Sequence, residues 1–171
     1  SLYPDDDASI SLWFNTTTFP IEKAVLRTND TQPSNPQFRI NILSDGKLQI
    51  EANHEGAVET DFPVNDGNWH HVALVFSGNT TSQIQFYVDG VLEVNSSVNN
   101  LAINTGNSLA VQVSNGFHGR YFEGEIDDLR IWSTALSPTT IADWSYRKVD
   151  ASHPNYSSFE LNYAAKEQTS I

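Results

Sequence analysis

The feature of this sequence that most constrains its fold is a series of short segments in which apolar and polar residues alternate, separated by turn-forming residues. Ile10, Leu12 and Phe14, for example, alternate with polar or exposed positions. Alternation with a period of two predicts a β-strand that buries one face. The Asp-Gly pairs at 45–46 and 89–90 each predict a tight hairpin between two such strands. The pattern therefore favours antiparallel sheets.

Ten to eleven strands are predicted at fairly regular spacing. They cover residues 8–14, 23–27, 37–43, 48–52, 58–62, 69–76, 84–88, 91–94, 108–113, 121–132 and 159–163. The run 69–76 is apolar at nearly every position, so we expect it in the middle of a sheet, whereas 58–62 is expected at an edge. Only residues 137–144 look helical, because Ser137 can cap a helix whose first turn contains Pro138. The pattern predicts an all-β fold, a two-sheet antiparallel jelly-roll sandwich with one short helix.

The composition indicates one acidic domain. With 171 residues, 39% of them hydrophobic, the chain can build one sizeable core and is short for two. We therefore expect a single domain over residues 1–171. Nine basic residues against 21 acidic ones give a formal net charge of -12, which argues against nucleic acid and anionic membranes as partners. Calcium, neutral sugars or a basic protein fit this charge better.

The absence of certain residue types indicates in which kind of protein this chain occurs. No cysteine is present, which excludes disulfides and thiolate metal sites and suits a bacterial surface protein. The chain starts at Ser1, contains no methionine, and has neither an apolar signal segment nor a run long enough to span a bilayer. We therefore expect a piece excised from a larger secreted or cell-surface protein, with other domains as its neighbours.

Residues 121–132 contain a change in the phase of alternation. Apolar residues fall on even positions up to Ile126 and on odd positions from Leu129, so the phase shifts at the acidic pair 127–128. A strand buried on both faces, or one that carries a bulge, produces such a shift. Gly124 lets another backbone come close. Because burying an unpaired carboxylate is costly, the two aspartates must face water, a metal cation or an arginine.

Three blocks of the sequence resemble a known family. They are Asp66-Gly67-Asn68-Trp69-His70-His71-Val72-Ala73, then Phe86-Tyr87-Val88-Asp89-Gly90, then Phe122 to Trp132 followed by Ala135-Leu136-Ser137. In this order they resemble the laminin G-like and pentraxin-like branch of the concanavalin A-like lectin/glucanase superfamily. The resemblance implies a jelly roll of two curved sheets, with binding loops on the rim or concave face and often a bound calcium. Members of the family usually have a further strand ahead of the first block. The segment that resembles it here is 158–164, at the end of the chain. Either the tail contributes this edge strand, or the boundaries of the piece are unusual.

The resemblance also implies two candidate calcium sites. In glucanase relatives an aspartate of the last strand holds calcium on the convex side, and Asp128 stands at the matching place, beside Asp127. Pentraxin-like relatives hold calcium partly with an Asp/Asn pair after an early strand, and Asn29 and Asp30 occupy that region. Calcium prefers several oxygen ligands, which this chain supplies in quantity. The metal candidates are therefore Asp128, Asp127, Asn29 and Asp30, and Ca²⁺ is the expected cofactor.

Sugar binding needs an aromatic ring on which a pyranose can stack and amide or carboxyl groups that bond its hydroxyls. The predicted loops carry such side chains, although the same residue types are ordinary in turns. The ligand-binding candidates are Asn29, Asp30, Asn35, Asn53, His54, Asn115, His118, Arg120 and Tyr121.

Two catalytic interpretations are disfavoured. The laminarinase-like glycosidases of the same superfamily carry Glu-x-Asp-x-x-Glu on one strand, and the nearest match here begins at Glu125 and Asp127. Arg130 stands where the acid/base would be, and arginine does not release its proton. His70 and His71 are adjacent on a strand and point to opposite faces, so the pair cannot bind one metal.

We therefore expect a non-catalytic, calcium-dependent adhesion module that binds a carbohydrate or another cell-surface ligand. It is expected in a secreted or cell-surface protein of a bacterium, without nucleic acid as a partner and without insertion into a membrane. A glycoside hydrolase or lyase of the same fold is one alternative, and a structural or protein–protein adhesion spacer is the other.

Overall fold

The structure of the chain, a computed structural model, describes residues 7–17, 22–28, 38–52, 56–77, 83–97, 111–113 and 121–163. Eleven strands lie in these ranges. They are β1 (Ala8–Asn15), β2 (Lys23–Thr28), β3 (Phe38–Ile42), β4 (Lys47–Ala52), β5 (Gly56–Pro63), β6 (Trp69–Ser77), β7 (Gln83–Val88), β8 (Val91–Ser97), β9 (Val111–Val113), β10 (Glu125–Trp132) and β11 (Phe159–Tyr163). One α-helix, α1 (Pro138–Trp144), and a 3₁₀ turn (Tyr156–Ser158) lie between β10 and β11.

The strands form two antiparallel sheets. One has six strands in the order β11-β10-β1-β6-β7-β8, and the other has five in the order β5-β4-β3-β2-β9. In the six-stranded sheet β1 lies between β10 and β6, so the beginning, middle and end of the chain are neighbours there. β6 lies inside its sheet and β5 at an edge, as predicted. The two-sheet, all-β architecture with one short helix is confirmed.

The main core lies between the two sheets. β1 contributes Ile10, Leu12 and Phe14, the residues of the predicted alternation, and all three are buried. Burying each side chain of this size stabilises the fold by about 1.5–3 kcal/mol. A second apolar cluster lies on the outer face of the six-stranded sheet. It contains Ala73, Val75, Tyr87 and Trp132 of the sheet together with Leu136 and Ile141. β6 is therefore buried on both faces, which explains its unbroken apolar run.

The two Asp-Gly pairs close hairpins, as predicted. Asp89 and Gly90 both have positive φ, 51° and 81°, and together form the two-residue turn between β7 and β8. The turn between β3 and β4 is longer. There the N–H of Gly46 donates to the oxygen of Leu43 at 2.9 Å, and Gly46 has a φ of 88°.

The helix and the tail also lie where the sequence predicts them. The N–H of Thr140 donates to the hydroxyl of Ser137 at 3.1 Å, which caps α1, and Pro138 occupies the first turn. In the tail, Leu161 pairs with Ile131, so β11 forms the edge of the six-stranded sheet next to β10. The tail therefore contributes the edge strand, the first of the two possibilities that the resemblance left open.

Gly124, just before β10, marks a close approach of two backbones, as expected. Its φ is 154°, and a Cβ added to it would lie 2.2 Å from the backbone oxygen of Asn15. Any side chain at this position would have to separate β10 from the end of β1.

We predict that Gly124→Ala lowers the free energy of unfolding by about 2–4 kcal/mol, because overpacking costs about 1–3 kcal/mol and the positive φ adds about 1. Urea unfolding measures the loss. Gly67→Ala is the matched control, since Gly67 has a φ of 83° but the nearest atom would lie 3.6 Å from its Cβ. Only the conformational cost of about 1 kcal/mol is expected there. Equal losses in the two variants would contradict the proposed close approach.

Candidate functional site

β10 contains a bulge at its acidic pair. Between the cross-strand pairs Ser11–Arg130 and Trp13–Asp127, β1 has one residue and β10 has two. Asp128 is in the bulge and has a positive φ of 51°. Because of the extra residue, Asp127 and Arg130 lie on the same outer face of the sheet although they are three residues apart. The bulge is the physical cause of the phase shift in the sequence.

Arg130 is the centre of this region, and its side chain is buried. Its Nε donates to Oδ1 of Asp128 at 2.9 Å, and its Nη2 donates to Oδ2 of the same carboxylate. Its Nη1 donates to the oxygen of Trp144 at 2.8 Å, and its Nη2 also donates to the oxygen of Arg147 at 2.7 Å. One guanidinium thus neutralises the carboxylate of the bulge and binds two carbonyls at the C-terminal end of α1. Water, a metal cation and an arginine are the three partners expected for the acidic pair, and Asp128 pairs with the arginine.

We predict that Arg130→Met lowers the free energy of unfolding by about 3–5 kcal/mol, because it leaves the partly buried Asp128 carboxylate and two carbonyls without their donor. Chemical denaturation measures the loss. The double variant Arg130→Met with Asp128→Asn should recover part of it, since asparagine tolerates the positive φ and carries no charge. Additive losses in the double variant would show that the two side chains do not act together.

The outer face of the six-stranded sheet is organised in rows of residues that lie side by side on β10, β1 and β6. The first row contains Trp132, Ser9 and Val75, the second Arg130, Ser11 and Ala73, the third Asp127, Trp13 and His71, and the fourth Glu125, Asn15 and Trp69. Residues of α1 and of the segment that follows it pack over the first two rows and His71. Over Asp127, Trp13 and Trp69 the face opens into a groove.

The groove has a volume of about 350 Å³, and three aromatic side chains line it. Trp69 is 43% exposed and Tyr146 is 74% exposed, whereas Trp13 is half-buried. Trp13 is held in place because its Nε1 donates to the oxygen of Ser145 at 3.0 Å. The centroids of the Trp13 and Tyr146 rings lie 4.9 Å apart in an edge-on arrangement. The groove therefore offers aromatic surface on a fixed floor, which is the arrangement that stacking of a flat or ring-shaped ligand requires.

Charged side chains complete the groove. Asp127, Asp128, Arg130, Arg147 and Lys148 line it together with the aromatic residues. Arg130 and Asp128 neutralise each other, and the N–H of Asp128 donates to Oδ1 of Asp127 at 2.7 Å. Arg147 and Lys148 are exposed, and neither forms an ion pair with any residue that the structure describes. The groove thus combines aromatic surface with hydrogen-bond donors and acceptors.

The covered end of the same face contains two buried histidines beside Arg130. His71, His153 and Trp132 border a cavity of about 10 Å³, which has room for one water molecule. One ring nitrogen of each, Nδ1 of His71, Nε2 of His153 and Nε1 of Trp132, has no hydrogen-bond partner among the described residues. Burial, and to a smaller degree the charge of Arg130, lowers the pKa of His71 to about 4, and the same causes lower the pKa of His153.

These pKa shifts predict that stability falls as the pH is lowered below 6.5. An unfolded histidine titrates near 6.5, so between 6.5 and about 4 the unfolded chain binds a proton that native His71 does not bind, and the lowered pKa of His153 acts in the same direction. We expect the melting temperature to fall between pH 7 and pH 5, a range in which most carboxylates stay ionised. The slope should be smaller in His71→Gln. A melting temperature that is flat over this range would contradict the neutral, buried state of the two rings.

The outer face of the five-stranded sheet presents a different polar surface. Nδ2 of Asn41 donates to Oε1 of Gln49 at 3.4 Å, and Nε2 of Gln49 donates to Oε1 of Glu59 at 2.9 Å. Arg39 and Glu51 form an ion pair of 3.8 Å beside them. None of these five side chains is aromatic, and they bind one another across β3, β4 and β5. These five described side chains therefore offer hydrogen-bond donors and acceptors but no stacking ring.

Three of the predicted site residues lie in the described part of the chain. Asp127 and Asp128 line the groove, and Tyr121 is 60% exposed and forms an isolated parallel bridge with Ala24. The other candidates lie outside the described residues: Asn29, Asp30, Asn35, Asn53, His54, Asn115, His118 and Arg120.

Two of the four metal candidates, Asp127 and Asp128, lie in the described part of the chain. Both carboxylate oxygens of Asp128 accept from Arg130, so this side chain does not fit a metal ligand in the present arrangement. Among the described ranges, no group of three or more His, Cys, Asp or Glu side chains is placed to hold a metal ion. Calcium stays a prediction, because Asn29 and Asp30 lie outside these ranges.

The aromatic residues of the groove are not among the ligand-binding candidates predicted from the sequence. Those candidates lie in predicted loops, whereas Trp13 and Trp69 lie on strands and Tyr146 follows α1. A signal was present, since counting alternate positions places Trp13 on the face opposite to Leu12 and Phe14. That count shows an exposed ring in β1 but not which residues of other strands lie beside it.

The two disfavoured catalytic interpretations can be compared with the structure. Glu125 and Asp127 lie on the outer face as the glycosidase-like pattern requires, but the third position is Arg130, which is bound to Asp128. His71 lies on the outer face, 5.3 Å from Trp13. His70 lies near Phe14 on the other face and bonds to Asp66 and Asp89. The two histidines therefore point apart, as predicted.

Comparison with known proteins identifies the family. The laminin G type 3 family model, described as concanavalin A-like lectin/glucanases superfamily, matches residues 1–142. The chain belongs to this superfamily. No curated protein matches the sequence. The family that the three sequence blocks resemble is thereby confirmed.

Solved structures with the same fold include carbohydrate-binding proteins and a pentraxin. A Bacteroides ovatus protein assigned to carbohydrate binding has a TM-score of 0.72 at 18% identity, with 94% of this chain and 45% of that chain covered. The CBM40 module of the Ruminococcus gnavus IT-sialidase, bound to α2,3 sialyllactose, has a TM-score of 0.65 at 15% identity, with 82% and 83% covered. The SAP-like pentraxin of Limulus polyphemus has a TM-score of 0.60 at 13% identity, with 94% and 81% covered.

At these identities the likeness to the solved structures shows the fold. The chain spans less than half of the Bacteroides ovatus protein. In the described part of this chain, no helix is both long enough and apolar enough to cross a membrane.

Proposed function

We propose that this superfamily member is a non-catalytic carbohydrate-binding module and that the groove on the six-stranded sheet is its binding site. The observation that carries the proposal is the groove itself, in which the exposed rings of Trp69 and Tyr146 stand beside the fixed ring of Trp13. A volume of about 350 Å³ is within the range of small-ligand sites and accommodates one or two sugar units.

The physical argument rests on the two sides of a pyranose. Its axial C–H groups form an apolar face that stacks on an aromatic ring, and its hydroxyls need donors and acceptors around the rim. The groove supplies aromatic surface from Trp13, Trp69 and Tyr146, a carboxylate from Asp127 and a cationic donor from Lys148. A structural or adhesion spacer would have no use for such a groove, so this alternative is less well supported.

The chemistry of the groove supports binding rather than hydrolysis. A retaining glycosidase needs two carboxyl groups about 5–5.5 Å apart, one of them a proton donor. Glu125 and Asp127 lie on the same outer face, but the third position of the glycosidase-like pattern is Arg130, and Asp128 is held by Arg130 through both oxygens. Arg130 itself stays protonated and cannot serve as the acid. The carbohydrate-binding neighbours of the same fold agree with a non-catalytic role.

Three further features belong to the proposal. The module works outside the cell, in a secreted or cell-surface protein of a bacterium, where it attaches neighbouring domains of a larger chain to a glycan. Calcium contributes through Asn29 and Asp30, which follow β2 in the sequence, and stabilises the fold or the site. Melting in calcium and in chelator measures this contribution, since an ion that binds only the native state raises the melting temperature.

We predict that Trp69→Ala and Tyr146→Ala each weaken glycan binding by roughly tenfold or more, because each removes a stacking surface. A glycan array identifies a ligand, and calorimetry on the purified variants measures the change. Tyr156→Ala is the control, since Tyr156 is also an exposed aromatic residue but does not line the groove.

Two other outcomes would change the assignment. If Tyr121→Ala abolishes binding while Trp69→Ala and Tyr146→Ala do not, the ligand binds at the predicted loops and the groove is not the site. If the folded protein binds no glycan on a broad array, with and without calcium, the proposed function is wrong.

A further inference from the structure

The groove carries unpaired positive charge although the chain as a whole is strongly acidic. The formal net charge is -12. Lys23, Arg39 and Arg130 each pair with a carboxylate. Lys47, Arg147 and Lys148 form no such pair among the residues that the structure describes, and of these three Arg147 and Lys148 line the groove. Two adjacent cations therefore lie beside exposed aromatic rings without a neighbouring carboxylate to neutralise them.

We infer that the groove binds a pyranose that carries one anionic group, a carboxylate or a sulfate, and that Arg147 and Lys148 hold this group. The inference rests on the proposed glycan-binding function and specifies the class of glycan. An anion beside a guanidinium or an ammonium forms charge-assisted hydrogen bonds, which are stronger than those of a neutral hydroxyl. A local patch of positive charge also raises the concentration of anionic ligands near the site, which the rest of this acidic surface would repel.

The carboxylates in the groove do not cancel this preference. Asp128 has both oxygens bound to Arg130, and Oδ1 of Asp127 accepts from the N–H of Asp128. Three cationic side chains and two carboxylates line the groove, with the exposed Glu125 beside Asp127 on the same face. In the groove, the positive charges that no carboxylate among the described residues neutralises are those of Arg147 and Lys148.

The backbone that carries the two cations is fixed before a ligand binds. The oxygen of Arg147 accepts from Nη2 of the buried Arg130 at 2.7 Å, and its N–H donates to the oxygen of Trp144 at 3.3 Å. The guanidinium carbon of Arg147 lies 5.7 Å from the centre of the Trp144 ring. Because this segment is already ordered, binding costs less conformational entropy than it would in a mobile loop.

Calorimetry with matched ligands tests the inference. Trigalacturonic acid is compared with its fully methyl-esterified form, which keeps the sugar and removes the charge, and a 6-sulfated galactotriose is compared with galactotriose. We expect the charged member of at least one pair to bind roughly tenfold more tightly. The pair that shows the difference identifies the anionic group as carboxylate or sulfate.

Substitutions of single cationic side chains show which positive charge contributes to binding of the charged ligand. Arg147→Gln and Lys148→Gln should each weaken binding of the charged ligand by roughly three- to tenfold and leave binding of its uncharged counterpart unchanged. Lys47→Gln is the matched control, because it removes one positive charge from β4, outside the groove. Higher salt should weaken binding of the charged ligand more than that of the neutral one.

The outcomes separate this inference from the proposed function. Equal affinity for the charged and uncharged members of both pairs, with binding that still depends on Trp69 and Tyr146, would overturn the anionic ligand and leave the glycan function standing. An equal effect of Lys47→Gln and Lys148→Gln would also overturn it, since only net charge would then matter. No binding of any sugar would overturn both.

Discussion

The ion pair between Arg130 and Asp128 is the interaction on which the groove depends. The bulge places an extra carboxylate in β10, and a carboxylate that is partly withdrawn from water needs a partner. Arg130 supplies it and uses its remaining donors on the oxygens of Trp144 and Arg147. A single side chain therefore fixes the irregular strand and the segment after α1 relative to each other. These are the floor and one wall of the groove.

One part of the outer face of the six-stranded sheet is covered and stabilises the fold, and the other part is open and forms the groove. Where the outer residues are Ala73, Val75 and Trp132, α1 packs on them and forms a second apolar cluster. Where they are Asp127, Trp13 and Trp69, the face stays open. Arg130 lies at the boundary, with its head group turned toward the end of the helix. The two neutral histidines belong to the covered side, where burying a second positive charge beside Arg130 would be costly.

The sequence predicts those features whose causes are local. Asp89-Gly90 needs positive φ at both positions, Ser137 caps the next turn, and the phase shift at residues 127–128 reflects the bulge itself. The groove depends on strand order instead. Trp13 lies beside Asp127 and His71 only because β1 lies between β10 and β6, and periodicity within β1 does not contain that information. Tyr146 follows the helix in a segment without any pattern, so its place could not be predicted.

Arg130 also shows how one residue changes what this fold can do. In the glycosidases that the strand resembles, the third motif position is a carboxyl group that can donate a proton. An arginine there cannot do so, and once it is buried it also requires a nearby carboxylate, which the bulge provides in Asp128. In this ion pair neither Arg130 nor Asp128 is placed to serve as the acid of the motif, because Asp128 accepts from the guanidinium through both oxygens. The described part of the groove also offers aromatic faces and the side chains of Asp127, Arg147 and Lys148. Such a set can bind and orient a ligand.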